Sequence, residues 1–464
     1  MMRRFCSRST SVWNARFNAN VVSTVAYKDI KVGVPRETSA DETRVAVTPT
    51  NVAQYVKYGM TVLVEKGAGD KANFPDALYE SAGAKIVPSV FSEADLLLKV
   101  QPPSAKEAEQ IKSGATLISL FFPARNSELL NTLQNKSCNV FALDCIPRVS
   151  RAQAFDVLSS MSNIAGYKAV IEGANHFGRF LTGQITAAGK IPPAKVLILG
   201  AGVAGLAAIG AANSMGAIVR AVDPRAATRE QVESLGAEFL QVKLNESGDG
   251  GGGYAKEMSE AYQKAQKEMV KQQCADCDII ITTALIPGKK APILITKDMV
   301  DVMKEGTVVV DLAAEAGGNV ETTRPNENYL YNGKVRHIGF SNLQNRMPSQ
   351  ASTLFGNNIF KYISSFGGKG NFQIDLNDEV IRGSILCHNK QLMWPPPAIA
   401  NPSPTTSTKA VEETPAQLEA ERIEMETPPE KETLPEMDSC PYKYTMRAAL
   451  NRLHSRSWKH NCPE

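Results

Sequence analysis

Neither charge prevails in this chain. It carries 51 lysines and arginines against 48 aspartates and glutamates, a net of +3 over 464 residues. So even a balance does not draw a polyanion, and nucleic acid is not among the expected partners. Histidine is scarce, with five, and the eight cysteines (6, 138, 145, 274, 277, 387, 440 and 462) are scattered rather than set out as a framework. That excludes a small disulfide-built fold and suits a reducing compartment. Cys274 and Cys277 form a Cys-x-x-Cys, but a structural zinc needs a second pair or nearby histidines, and none stands close. No metal site is expected, and the pair reads as residues leading into a buried strand. Residues 1–27 lack any acid while holding Arg3, Arg4, Arg8 and Arg16 among several serines and threonines, the composition of a mitochondrial transit peptide.

Charge is also missing from Val196 to Val219, a length that would span a bilayer. Five glycines in that stretch (200, 202, 205, 210 and 216) argue against a span. Lys195 to Leu199 is instead a short branched, apolar run that ends in Gly200-Ala201-Gly202-Val203-Ala204-Gly205, and a small-residue helical pattern follows at once. Strand, tight turn and helix in that order present helix N-terminal N–H groups to a pyrophosphate. Gly200 permits the turn, Gly202 lets phosphates approach the backbone, and Gly205 lets the helix sit close. A second strand, Ala217 to Val222, ends in Asp223, near the spacing of about 20 residues at which a carboxylate meets the adenosine ribose hydroxyls. A carboxylate there repels a 2′-phosphate, so NAD(H) is expected over NADP(H), although Arg225 pulls the other way.

With 43% hydrophobic and 21% charged residues the chain has ample core for several domains. Strand-like runs at Ile30–Pro35, Thr61–Glu65, Leu96–Val100, Thr116–Phe121 and Val140–Leu143 alternate with helical stretches. A second set at Glu238–Val242, Asp278–Thr282, Thr307–Asp311 and Val335–Gly339 follows the nucleotide turn. The expected fold is α/β: two doubly wound parallel-sheet, Rossmann-like domains with a cleft between them. The first covers residues 28–160 and is completed by helical periodicity over 346–385; the second covers 161–345. A Pro-, Thr- and Glu-rich composition sets in after Trp394, and 386–464 reads as a disordered tail. After Trp394 the sequence shows neither a second nucleotide fingerprint nor an apolar run long enough to span.

Two stretches are rich in functional chemistry. Pro147 to Tyr167 concentrates hydrogen-bonding side chains just before a long helical pattern, where a ligand cleft or a solvated linker would lie. Gly250 to Gly253, followed by Tyr254 and Met258, is too costly in backbone entropy to pack and reads as a mobile loop.

Several segments together carry a family resemblance: Val34-Pro35-Arg36-Glu37 with Glu42 to Ala46, Arg148 to Tyr167, Thr182 to Lys190, the glycine turn, Thr282 to Gly288, and Val310 to Ala314. Residues 28 to about 385 resemble the NAD(H)-binding component of proton-translocating NAD(P) transhydrogenase, which shares ancestry with alanine dehydrogenase. The resemblance implies that Arg148, Gln153, Asp156 and Ser159 serve the nicotinamide end. It places Gly202, Val203, Asp223 and Arg225 on the adenosine and pyrophosphate and Tyr254 and Met258 on a loop that closes over NAD, with Gly200, Ala201, Gly205 and Leu285 also binding the cofactor. It also implies an NADP-binding domain and a membrane domain as partners, NADP(H) as co-substrate, a homodimer, and a place on the matrix side of the mitochondrial inner membrane. The alternatives are alanine dehydrogenase and a non-catalytic NAD-binding module. Oxidising an amino acid moves a proton as well as a hydride. Alanine dehydrogenases have a His in the segment matching Ser119 to Ala124, where this chain has Phe122, although Lys99 does match their amino-acid-binding Lys.

Overall fold

In the computed structural model the described residues are 24–242, 248, 258–285, 290–367 and 370–396. Among them the chain forms two large sheets, each largely parallel. The first has the strand order Gln391–Leu392, Ile385–His388, Asn139–Ala142, Thr116–Ser119, Leu96–Leu98, Lys31–Val34, Thr61–Glu65, Lys85–Val87. The second runs Glu238–Leu240, Ile218–Val222, Lys195–Leu199, Ile279–Thr282, Val308–Asp311, Val335–Ile338, Asn328–Tyr331. Central strands such as Leu96–Leu98, Ile279–Thr282 and Val308–Asp311 are buried at every position, as continuous apolar strands covered on both faces must be. In the second sheet, Lys195–Leu199 pairs in parallel with both Ile218–Val222 and Ile279–Thr282. The strand order therefore reverses there, and the carboxyl ends of Leu199 and Thr282 flank the crevice where such sheets take ligands.

Helix Val157–Phe177 connects the two lobes. Its first turns pack Val157, Met161 and Ile164 into the core of the first sheet, and its later turns pack Ala169, Val170 and Phe177 into that of the second. The boundary read at residue 160 therefore falls inside one continuous helix. Next to it lies the turn helix Val203–Ser214, built almost wholly of Gly, Ala and small aliphatics. The reason is contact distance. A Cβ on Gly166 would stand 2.0 Å from the Ala204 carbonyl oxygen, so the two backbones touch.

The folded region is wider than the sequence boundaries at both ends. Thr24–Ala26 pairs antiparallel with Asn371–Gln373, and Tyr27 is buried, inside the stretch read as a leader. Ile385–His388 pairs antiparallel with Asn139–Ala142, and Leu386 and Cys387 are fully buried. The tail thus does not begin at 386: these residues close the first sheet, and the stretch 346–385 contains a strand at Asn371–Gln373 besides its helices Pro348–Ser364 and Glu379–Ser384. Cys274 and Cys277 are buried at the end of helix Glu260–Asp276, directly before strand Ile279–Thr282. Among the described residues no group of acids, histidines and cysteines could hold a metal ion, and no helix is long and apolar enough to cross a membrane.

His337 tests the second core. It is 1% exposed and stacked on Tyr329 at 5.3 Å, with Tyr331 edge-on at 5.8 Å. Burial, aided by nearby Arg324, pushes its imidazole down from 6.5 to about 4. Between those values the unfolded chain binds the proton and the folded chain does not, so stability is full above 6.5 and is lost as pH falls toward 4. The loss from this one group is on the order of 3 kcal/mol. Urea unfolding across that window should show a shallower pH dependence for His337→Phe than for wild type; equal slopes would assign the acid sensitivity elsewhere.

Candidate functional site

The glycine turn follows strand Lys195–Leu199 and divides its labour as the spacing implies. Gly200 has φ +104°, a left-handed conformation that favours glycine. A Cβ on Gly205 would lie 1.8 Å from the Gly200 carbonyl oxygen, so the helix can start only if that position is bare. A Cβ on Gly202 would meet nothing within 4 Å. The space in front of Gly202, at the amino end of helix Val203–Ser214, is open to a ligand. Val203 is exposed beside it, and Leu285 is half exposed just beyond the neighbouring strand.

Asp223 stands where the sequence places it, after strand Ile218–Val222, and is 6% exposed. Its Oδ2 accepts the Ala201 N–H at 2.8 Å, which ties the second strand to the turn. Arg225 occupies the rest of the carboxylate. Its Nε donates to Oδ1 at 2.9 Å, its Nη2 to Oδ2 at 2.8 Å, and its backbone N–H to Oδ1 at 2.9 Å. This is a two-pronged charge-assisted pair. The arginine therefore neutralises the acid in place, and a ribose diol must exchange with it or share the carboxylate.

The second cluster lies in one cleft of about 440 Å³, lined by residues between Ile146 and Ser159. Arg148, Gln153, Asp156 and Ser159 all face it, so the structure brings together the four residues assigned to the nicotinamide end. Asp156 caps helix Val157–Phe177, accepting the Ser159 N–H at 2.9 Å and its hydroxyl at 2.6 Å. Gln153 and Arg148 are exposed. Tyr254 lies outside the described residues. Met258 is buried with Val242 and Tyr262 at the foot of helix Glu260–Asp276, rather than free on a loop.

The residues that bear on amino-acid chemistry sit in the first lobe. Lys99 is fully buried, with Nζ 3.1 Å from Glu107 Oε1 and 3.4 Å from Glu37 Oε2. Burial raises the Glu37 carboxyl despite that lysine. Phe122 has φ +50°, and its N–H donates to Asp144 Oδ2 at 3.0 Å, as the Phe121 N–H donates to Oδ1 at 2.6 Å. Its ring offers no proton.

Sequence reasoning passed over Thr283. Its hydroxyl donates to the Gly200 carbonyl at 3.0 Å and its N–H to the Leu199 carbonyl at 2.9 Å. The signals for it in the sequence are its place directly after a central strand and within the Thr282 to Gly288 segment.

Two parallel-sheet lobes, a glycine turn tied to a buried strand-end acid, and a polar cleft at the head of a connecting helix define a two-lobed α/β protein of the Rossmann class. Family models described as the N-terminal and C-terminal domains of alanine dehydrogenase/PNT match residues 33–165 and 169–395, and the chain belongs to the alanine dehydrogenase/PNT family. It is 50% identical over 382 residues to the NAD(P) transhydrogenase subunit alpha of Haemophilus influenzae, covering 82% of this chain and 75% of that one. It is 30% identical over 371 residues to the alanine dehydrogenase of Mycolicibacterium smegmatis, covering 78% of this chain and 94% of that one. A crystal structure of transhydrogenase from Sinorhizobium meliloti superposes with a TM-score of 0.71 at 38% identity, over 78% of this chain and 99% of that one.

The turn itself makes a prediction. Gly205→Ala must push the Gly200 carbonyl aside and should cost on the order of 2 kcal/mol in urea unfolding of the empty chain. Gly202→Ala, facing open space, should stay within about 1 kcal/mol of wild type. The reverse order would mean that the turn is not held as described.

Proposed function

We propose that this chain is the NAD(H)-binding component of a proton-translocating NAD(P) transhydrogenase, exchanging hydride between NADH and an NADP(H) held by a separate partner domain. A membrane domain of the assembly would carry the proton. The observation that carries the reading is Phe122 in place of the proton-transferring His of alanine dehydrogenases: hydride exchange between two nicotinamides needs alignment and exclusion of water, with no proton transfer at carbon. The greater identity to transhydrogenase subunits than to alanine dehydrogenase supports the same choice.

The residues present fit the dinucleotide. Bound NADH would supply the hydride. Amides of Gly202 and Val203 at the helix amino end would face its pyrophosphate across the open space before Gly202. Asp223 would accept the adenosine ribose hydroxyls, with Arg225 yielding part of the carboxylate. Gln153 and Arg148 would hold the nicotinamide end, while Asp156 and Ser159 fix the helix start beneath it.

Single-turnover transfer from NADH to an NADP analogue, in the presence of an NADP-binding component, tests this directly, with L-alanine plus NAD as control. Transfer without alanine oxidation is expected; the opposite pattern would transfer the chain to alanine dehydrogenase. Gln153→Asn, and Asp156→Asn, which loses the carboxylate oxygen that accepts the Ser159 hydroxyl, should leave NADH affinity within a few-fold while slowing transfer on the order of a hundredfold, because a misplacement of about 1 Å costs that much. In the same titrations Asp223→Asn should narrow the preference for NADH over NADPH by about tenfold. Proportional losses of rate and affinity would place the reacting ring elsewhere.

The acid-free residues 1–27 favour import into mitochondria, on the matrix side of the inner membrane. Because Thr24–Ala26 is paired and Tyr27 buried, cleavage is expected before Thr24. Terminal sequencing of the mature protein checks this, and a start at Met1 contradicts it. The reading includes a homodimer, which a monomer in sedimentation of wild type would exclude.

A further inference from the structure

The carboxyl ends of the two central strands of the second sheet are joined by a buried polar hub that the site described above does not use. Asp311 ends strand Val308–Asp311 and is 2% exposed. Its Oδ1 accepts the Thr282 hydroxyl at 3.0 Å and the Ala313 N–H at 2.9 Å. Its Oδ2 accepts the Thr323 hydroxyl at 2.6 Å, the Asn319 N–H at 2.8 Å and the Val320 N–H at 3.1 Å. A carboxylate with so many donors folds the segment after it back on itself, through Gly317 at φ +100° and Gly318 at φ +79°. That return delivers Asn319 to the base of the crevice.

Asn319 has no solvent exposure, and its carboxamide is fully used. Oδ1 accepts the Ala284 N–H at 3.0 Å, and Nδ2 donates to the Ala284 carbonyl and to the Pro292 carbonyl, each at 2.8 Å. The side chain thus grips both polar groups of residue 284 as a neighbouring strand would. Ala284 follows Thr283, whose hydroxyl holds the Gly200 carbonyl. That carbonyl is the atom against which Gly205 packs.

We propose that Asn319 is a positioning residue for nucleotide binding: its carboxamide fixes the backbone of Ala284, and through it sets the Thr283 hydroxyl that holds the Gly200 carbonyl and shapes the glycine turn. The effect runs in series, Asn319 to Ala284 to Thr283 to Gly200, with no contact between Asn319 and the ligand. It rests on the reading that this turn binds NAD(H).

Series action gives a test that a generally stabilising residue would fail. NADH affinity is measured by fluorescence titration of the full chain, below its melting temperature, for wild type, Asn319→Ala, Thr283→Val, Thr283→Ser and the double variant Asn319→Ala/Thr283→Val. Each of the first two single substitutions should weaken NADH binding by roughly tenfold, Thr283→Ser should retain near wild-type affinity, and the double variant should bind no worse than the weaker single variant. Folded Asn319→Ala with wild-type affinity and a lowered melting temperature overturns the proposal, as does a double variant whose losses multiply. If Asn319→Ala does not fold, the Thr283 pair decides: equal affinity for Thr283→Val and wild type overturns it. A wild type with no affinity for NADH overturns the functional reading as well, which separates the two failures.

Discussion

The arrangement of the molecule rests on the contact of two helix backbones at Gly166 and Ala204, where even a methyl group would lie 2.0 Å from a carbonyl oxygen. Helices normally keep 8–10 Å between axes because side chains intervene; bare glycine and small residues remove that spacer. What the contact fixes is a relation between two sites. Gly166 lies ten residues beyond Asp156, roughly 15 Å along the helix, and Asp156 is both the cap of that helix and a wall of the polar cleft. Ala204 lies inside the glycine turn. The distance from cleft to turn is therefore set by one helix braced against another, and a loop has no part in it.

Electrostatics at the two ends differ in kind. Asp223 is buried and already satisfied by Arg225 and the Ala201 amide, so a ligand there competes with an internal partner. Breaking such a pair by losing one member leaves a buried charge uncompensated, which is more costly than never forming it. Exchange of partners avoids that cost. At the cleft, Asp156 is held by a serine of its own helix turn, and the neighbouring Arg148 and Gln153 are exposed. An acid spent as a helix cap orients its surroundings and is poorly placed to shuttle protons, which agrees with a step that needs alignment alone.

The parts legible in the sequence were those determined by neighbours in the chain. The glycine turn, Asp223 after its strand, and the polar run ahead of the long helix depend on local spacing and were read from it. The missed parts depend on distant partners. Ile385–His388 has no meaning as a strand until it meets Asn139–Ala142, so nothing local in the sequence distinguishes it from the tail that follows. Thr24–Ala26 needs Asn371–Gln373. Helix Val157–Phe177 conceals the domain boundary because it serves one core with its first turns and another with its last. The Asn319 carboxamide belongs with the same class: nothing near it in sequence indicates that it grips residue 284.

The lobes are joined a second time, through residues 339–348, where Phe340 and Leu343 pack in the second core, Met347 packs against the first, and polar ties are added. Arg346 lies over the Phe340 ring at 3.7 Å and within 3.5 Å of Glu172 on the connecting helix. Thr43 donates its hydroxyl to the Asn345 carbonyl at 2.5 Å, and the Asn345 side chain donates to the Asp41 carbonyl at 2.8 Å. Both crossings therefore serve both cores, the first as one long helix and the second as a short segment whose Leu343 is 2% exposed. Because the helix carries Asp156 at its head and rests on the turn through Gly166, the span between the cleft and the turn is held by packed backbone. For a hydride transfer governed by placement, that span fixes where one nicotinamide stands relative to the rest of its own nucleotide.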